Sequence, residues 1–416
     1  MKIAKYSFGT GDRFGQQGIA QLSAIMKAAE QGIEITPVWN KSNREHTIIH
    51  SEPDETRHEA DEAVKSCGWN KPYFVDADHI NLGNVERFIE SSDFFTIDVA
   101  DFIGVEANVS HVDEFVRKNM KYTGKLVIPG IEHDIFIRKD DLYVIGNKFL
   151  FALQKAEQIY SYIANKKGSD NFITEVSMDE VEVPQTPVEM FFILSAISMY
   201  DIPAQTIAPK FTGRFNKGVD YSGNISQFSK EFEENIQVIN YAIEEFGLAP
   251  NLKMSVHSGS DKFSIYPVMG ELIKKHNKGI HIKTADTTWL EEVIGLAEAG
   301  GEALSMAKSI YGKAFDKKEE LCKPYATVID IEFAKLPSPG DVDKWDGIRL
   351  ASALRHIPGN PDYDPNLRQL IHVGYKVAAE YGNVYLNLLK ENEEIVKKQV
   401  IENLYDRHIC RLFGLK

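Results

Sequence analysis

The chain has 416 residues, 43% of them apolar, enough for a substantial core in one large domain with extensions or in two domains; 61 acidic against 47 basic side chains leave a formal charge of −14. That balance, with no basic stripe, argues against nucleic acid as a partner, and the dispersed Cys67, Cys322 and Cys410 indicate neither a disulfide framework nor a zinc ribbon. The start, MKIAKYSFGTGDRFG, has no apolar signal region and no apolar run approaches membrane-spanning length, so a soluble cytoplasmic protein with no membrane contact is expected.

In chain order, Lys5–Gly9 reads as a short strand running into GTGDR, and Ile19–Glu30 follows with helical spacing. Ile33–Trp39 is strand-like, with Pro37 marking an irregularity. Asp54–Ser66 is a charged helix, Tyr73–His79 (YFVDADH) a strand, Asn84–Glu90 a helix and Phe94–Ala100 (FFTIDVA) a strand. Val105–Met120 is helical, Leu126–Leu142 patterns as an inserted hairpin, and Lys148–Asn165 is a long helix. Phe172–Glu180 is a strand with a polar end, and Pro187–Tyr200 an apolar helix with proline in its first turn. Gln205–Phe211 is a strand and Gln227–Phe246 a helix. Lys253–Pro267, KMSVHSGSDKFSIYP, then opens as an alternating strand and stops at Ser258-Gly259-Ser260. A strand end fixes His257, and the turn lets backbone amides approach a ligand. The helix Pro267–His276, the strand Gly279–Thr284 and the helix Trp289–Ala299 follow.

Eight strands alternating with helices over about 300 residues predict an α/β fold, a (β/α)8 TIM-type barrel spanning residues 1–300. A doubly wound open sheet is the alternative, but GTGDRFG lacks the glycine spacing of a nucleotide-binding turn. Beyond Gly300 the pattern is helical: Glu302–Phe315, Trp345–His356, Asn366–Glu380 and Val384–Leu412. Residues 301–416 are therefore expected to form a C-terminal helical extension packed on the barrel, either closing over its mouth or forming a homo-oligomer interface.

A barrel carries its chemistry at the C-terminal ends of its strands. Reading those ends gives Asp12 and Arg13; Asp76, Asp78 and His79; Asp98 and Asp101; Glu175, Ser177, Asp179 and Glu180; Lys210 with Lys217 beyond; His257, Asp261 and Lys262; and His281 and Lys283. His79, His257 and His281, with carboxylates nearby, suit a divalent transition metal such as Zn, Mn, Ni, Co or Fe, although His281, set between isoleucines in GIHIKT, also fits a buried core histidine. Asp78 and Glu175 are candidates for a general acid/base pair. Neighbouring strand residues point to opposite faces, so the chain must already be turning if Asp78 and His79 both face the site. Arg13, Lys217 and Lys262 are candidate cations for an anionic substrate group. Arg368, His372 and Tyr375 in LRQLIHVGY share one helical face, placed either over the mouth or in a packing seam.

Taken together, FGTGDRFG, VDADH, FTIDVAD, EVSMDEVEVPQTP, NKGVDYSG, SVHSGSDKFSIYP, HIKTA and LRQLIHVGY resemble the tagaturonate epimerase family of hexuronate catabolism, in order from residue 7 to residue 375. The resemblance implies a metal-dependent interconversion of tagaturonate and fructuronate. Asp78 is then the implied proton acceptor and Glu175 the donor, His79, His257 and His281 the metal ligands, and Lys217 and Asp261 substrate contacts. Asp286 stands where a glycine is expected, and Arg214 and Asn216 where acidic and aromatic residues are expected. The implied chemistry is retro-aldol cleavage and re-formation, not transient oxidation by NAD. The alternatives are a metal-dependent ketose isomerase or aldolase on the same barrel, and a non-catalytic sugar-acid binding protein.

Overall fold

The computed structural model describes residues 1–284 and 287–415. Its strands are β1 (Tyr6–Gly11), β2 (Thr36–Ser42), β3 (Phe74–Ile80), β4 (Phe94–Asp98), β5 (Gly124–Leu126), β6 (Ile135–Ile137), β7 (Ile173–Ser177), β8 (Ala204–Ala208), β9 (Lys253–His257) and β10 (Ile280–Lys283). Eight of them close a parallel barrel in the order β1-β2-β3-β4-β7-β8-β9-β10, and β5 and β6 form the separate antiparallel hairpin. The barrel strands coincide with the eight predicted from alternation, to within a few residues at each end.

The helices over the first 300 residues are α1 (Gly18–Glu30), α2 (Asn43–Ile49), α3 (Pro53–Ser66), α4 (Val109–Asn119), α5 (Lys139–Lys167), α6 (Pro187–Met199), α7 (Ile225–Phe246), α8 (Tyr266–Lys275) and α9 (Thr287–Ala299). Helix α2 was not expected, and Asn84–Glu90 reduces to one 3₁₀ turn, Val85–Phe88. Helix α5 begins at Lys139, well before the predicted Lys148, because Asp141 caps the backbone N–H of Arg138 directly after the hairpin.

The C-terminal region contains α10 (Gly301–Asp316), α11 (Lys318–Cys322), α12 (Pro339–Val342), α13 (Gly347–Leu354), α14 (Pro365–Val373), α15 (Tyr375–Tyr381), α16 (Asn383–Glu391), α17 (Glu393–Ile401), a wide π-helical segment over Glu402–Ile409, and α18 (Cys410–Phe413). Gly374 and Asn392 divide two stretches that read as continuous helices. Two cores interleave across residue 300. Trp289, Leu290 and Ile294 of α9 pack with Ile310, Leu370 and Val396. Leu404, Ile409 and Leu412 join Ala24, Ile25, Met269 and Ile273 of the barrel's outer layer. The approach is close: a Cβ on Gly270 would lie 1.8 Å from the carbonyl oxygen of Leu412. Among the described residues, no helix is long and apolar enough to cross a membrane.

Alternation sorts the barrel strands by face. Phe8, Ala77, Phe95, Ile97, Val176, Ile207, Val256 and Ile282 are buried in the main core around the barrel, and Val75 in a smaller cluster with Leu22, Trp39, Ala60 and Ala63. The other set joins an apolar cluster, Val38, Phe74, Phe94 and Ile173, to polar residues: Ser7, Asp76, Thr96, Glu175, Thr206, Lys253, Ser255, His281 and Lys283 are all buried. Polar groups inside a barrel must satisfy one another. Thr206 donates to Glu175 (2.7 Å), Lys253 Nζ donates to Ser7 Oγ (2.8 Å), and Ser7 Oγ meets His281 Nδ1 (2.8 Å).

Candidate active site

The polar interior rises to Lys283 at the end of β10. Its ammonium lies 2.7 Å from Asp76, 2.8 Å from Asp78 and 3.1 Å from Glu175, and also donates to Thr96. Burial disfavours a charged lysine, but the three carboxylates outweigh it and hold Lys283 well above the usual lysine range. Burial would likewise raise Asp78; Lys283 and the flanking His79 and His257 reverse this and keep it ionised. Asp76, buried deeper, is pushed up to about 7 by desolvation against the pull of Lys283.

His79 and His257 lie beside this cluster, their rings 5.2 Å apart and edge to face. His257 closes β9, with Nε2 2.9 Å from Glu175 and Nδ1 3.1 Å from Asp179. His79 Nδ1 is 3.3 Å from Asp98. His79 has φ 51°, a left-handed conformation, and the register between β3 and β4 shifts between Ala77 and Ile80. That bulge is the turn the sequence demanded, and it brings Asp78 and His79 to one cavity.

The cavity has a volume of about 740 Å3. The barrel contributes Asp78, His79, Asp98, Asp179, His257 and Lys283, and the helical region adds Pro324–Val328 and Tyr375. The extension thus walls the mouth, and Tyr375 does so from the LRQLIHVGY face.

Ligand atoms of His79, Asp179 and His257 lie within 4.8 Å of one another, as do those of His79, Asp98 and Glu180. His257 Nδ1 is buried and makes no hydrogen bond although Asp179 is close. Two imidazoles and a carboxylate with ligand atoms this close are a donor set that fits a divalent transition metal.

The predicted residues fall at different depths. Asp78, His79, His257, Arg13 and Lys217 line the cavity. Glu175 is fully buried one layer down and meets the cavity through Lys283 and His257. His281 lies outside both donor clusters, buried in the barrel beside Ser7 and Phe94, where desolvation pushes it down to about 3; Asp179 stands in the place expected of it. Asp261 and Lys262, expected at the substrate, face away from the cavity. After His257 the chain turns at Gly259 (φ 67°) and buries both. Asp261 pairs with Arg368 (2.7 Å), and Lys262 Nζ donates to the carbonyls of Asn216 (2.9 Å) and Val219 (2.8 Å). Arg214 and Asn216 line the cavity, while Asp286 is outside the described residues. The sequence marks Lys283 and Asp179 only as polar strand-end residues, and their alternation with apolar neighbours is the available signal.

A closed parallel barrel with a lysine–carboxylate cluster and paired histidines at the C-terminal ends of its strands defines a (β/α)8-barrel enzyme. A family model described as tagaturonate epimerase matches residues 1–412. The chain belongs to that family and is an epimerase, an isomerase by class. It is 29% identical to the tagaturonate/fructuronate epimerase of Thermotoga maritima over 427 aligned positions, covering 98% of this chain and 81% of the relative. The glycerol-complexed crystal structure of a fructuronate-tagaturonate epimerase from Cohnella laeviribosi superposes with a TM-score of 0.80 at 23% identity, covering 100% of this chain and 82% of that one. The native structure of the same Cohnella enzyme gives 0.78 at 22% identity, with the same coverage. These two show the fold.

Proposed function

We propose that this protein interconverts tagaturonate and fructuronate at the barrel mouth, using Asp78 and Glu175 as its acid/base carboxylates and a divalent cation held by His79, His257 and Asp179. The observation that carries the reading is Lys283 bridging Asp78 and Glu175 beside the two histidines.

The two keto acids differ at the carbon β to the ketone, a position that enolisation does not make acidic. Retro-aldol chemistry reaches it. Ionised Asp78 takes the proton from the hydroxyl on the β carbon. A carbonyl forms there, the bond between the α and β carbons breaks, and its electrons enter the enediolate of the other fragment. The aldehyde turns over, the enediolate attacks its opposite face, and the new alkoxide regains a proton. Asp78 gives its proton back through Lys283, the ammonium it shares with Glu175, so the cycle ends with both carboxylates ionised. Lys283 holds both carboxylates in place and sets a fixed positive charge beside the developing oxyanion. A bound divalent cation supplies Lewis-acid stabilisation of oxyanion charge, worth several kcal/mol.

The test is turnover of chelator-stripped protein on tagaturonate, with and without added Zn, Mn, Ni, Co or Fe, with products separated by chromatography. Fructuronate formed only with metal is the expected result. Cleavage products or an aldose would replace the epimerase reading with an aldolase or ketose isomerase, and turnover without any bound metal would remove the cation from it.

A further inference from the structure

The substrate class proposed above carries one permanent charge, a carboxylate, and selectivity for it needs a cation that is not already satisfied. Most of the cations lining the cavity are engaged. Lys283 is bound to three carboxylates. Arg13 Nε lies 3.3 Å from Glu45, Arg13 Nη1 donates to the carbonyl of His372 (3.2 Å), and its guanidinium stacks 3.8 Å from the Tyr375 ring. Arg214 pairs with Asp330 (3.2 Å), and Lys217 is not free.

Arg44 differs. It lines the cavity from the first turn of α2 and, among the described residues, forms no ion pair, although Glu45 and Glu180 are near enough to favour its charge. It is not left to wander in solvent. The guanidinium faces the Tyr325 ring at 5.2 Å, and the Tyr325 hydroxyl is 3.1 Å from that of Tyr375, which in turn carries Arg13. Two tyrosines from the helical region thus flank two arginines along one wall, the inner one paired with Glu45 and the outer one in no ion pair among the described residues. An arginine that rests against an aromatic ring loses less entropy when a carboxylate engages its fork.

We propose that Arg44 is the carboxylate anchor of the substrate and the residue that selects acidic over neutral ketoses. The inference rests on the epimerase reading. Lys210, also on the cavity lining, follows β8, four strands around the barrel from β2; it offers a point charge with no aromatic prop and is the competing anchor.

Steady-state kinetics on tagaturonate test it with Arg44→Met, Arg44→Lys and Lys210→Met. Arg44→Met is expected to raise KM about 10–100-fold with kcat within about threefold, as for a lost charge-assisted hydrogen bond, and Arg44→Lys to recover part of it. An unchanged KM in Arg44→Met, a kcat loss as large as the KM rise, or a KM rise confined to Lys210→Met would overturn the assignment. If the wild type binds tagaturonate without turning it over, the epimerase reading fails alone. Calorimetric titration then decides the anchor: at least tenfold weaker binding by Arg44→Met supports it, and equal affinity, or no binding by the wild type, overturns it.

Discussion

Asp78 and His79 are neighbours in a strand, and regular geometry would send one inward and one outward. The left-handed φ of 51° at His79 breaks that rule, and a non-glycine residue adopts such a conformation only where its surroundings hold it there. The result is a base candidate and a metal-ligand candidate on one cavity wall. Asp78→Asn keeps the shape and removes the charge. It is expected to lower kcat by roughly 10²–10⁴-fold, the usual contribution of a general base. Bound metal, read by elemental analysis, should stay at the wild-type level, because Asp78 belongs to neither donor cluster. Full turnover in this variant would remove Asp78 from the chemistry. At this scale the sequence is informative about which residues stand at strand ends and poor about their depth. His281 and Lys283 share one face of β10, and the step of two residues along the strand makes the first an interior hydrogen-bond partner and the second a cavity residue. Asp261 and Lys262 follow His257 closely in sequence but pass behind the wall, since a glycine turn reverses direction without announcing to which side.

At the scale of elements, the strands were legible because one face is apolar toward the helices and the other largely polar toward the axis. Helix α2 was missed, although Ser42 and Glu45 form a capping box: Glu45 N–H donates to Ser42 Oγ (3.3 Å), and Ser42 N–H donates to Glu45 (3.0 Å). Seven residues with mostly polar side chains give too short a period to register. The helix matters because it carries Arg44 and Glu45 to the cavity on one side and His46 into the core on the other. His46 is buried, bonded through Nδ1 to Ser51 Oγ (2.8 Å) and packed against Phe88 (5.7 Å between rings). Burial, helped by Lys41 and Arg87, pushes it down to about 3. The unfolded chain binds that proton near pH 6.5 and the folded chain does not, so His46 supports the fold fully above 6.5 and progressively less as pH falls toward 3. Its contribution to the slope is at most about 1.4 kcal/mol per pH unit. Urea midpoints of the wild type and His46→Gln between pH 7 and 5 should converge as pH falls; parallel curves would show that His46 does not titrate as its burial dictates.

Over the whole molecule, HSGSDKFS stands out in the sequence for a reason the sequence conceals. Asp261 is fully buried and gathers partners from across the C-terminal region: Arg368 at 2.7 Å, His356 at 3.2 Å, Asn403 Nδ2 at 3.2 Å and His408 Nε2 at 3.4 Å. Separations of at least 95 residues along the chain put these contacts beyond any local pattern. The aspartate is therefore a junction, buried and off the cavity lining. It ties the turn after β9, whose Gly259 lines the cavity, to α14 and to the π-helical segment that seals the outer layer beside α1 and α8. Arg368→Met leaves a buried carboxylate without its main counter-charge. Breaking one side of such a pair typically costs about 3–5 kcal/mol, whereas replacing both sides is much cheaper. Chemical denaturation should show a loss of that order in Arg368→Met and a partial recovery in the double variant with Asp261→Asn. Hydrogen exchange should speed up both in residues 402–409 and in the turn at 258–260, two segments distant in sequence that share this one ion. Faster exchange in only one of them would mean that the junction does not couple the helical region to the mouth of the barrel.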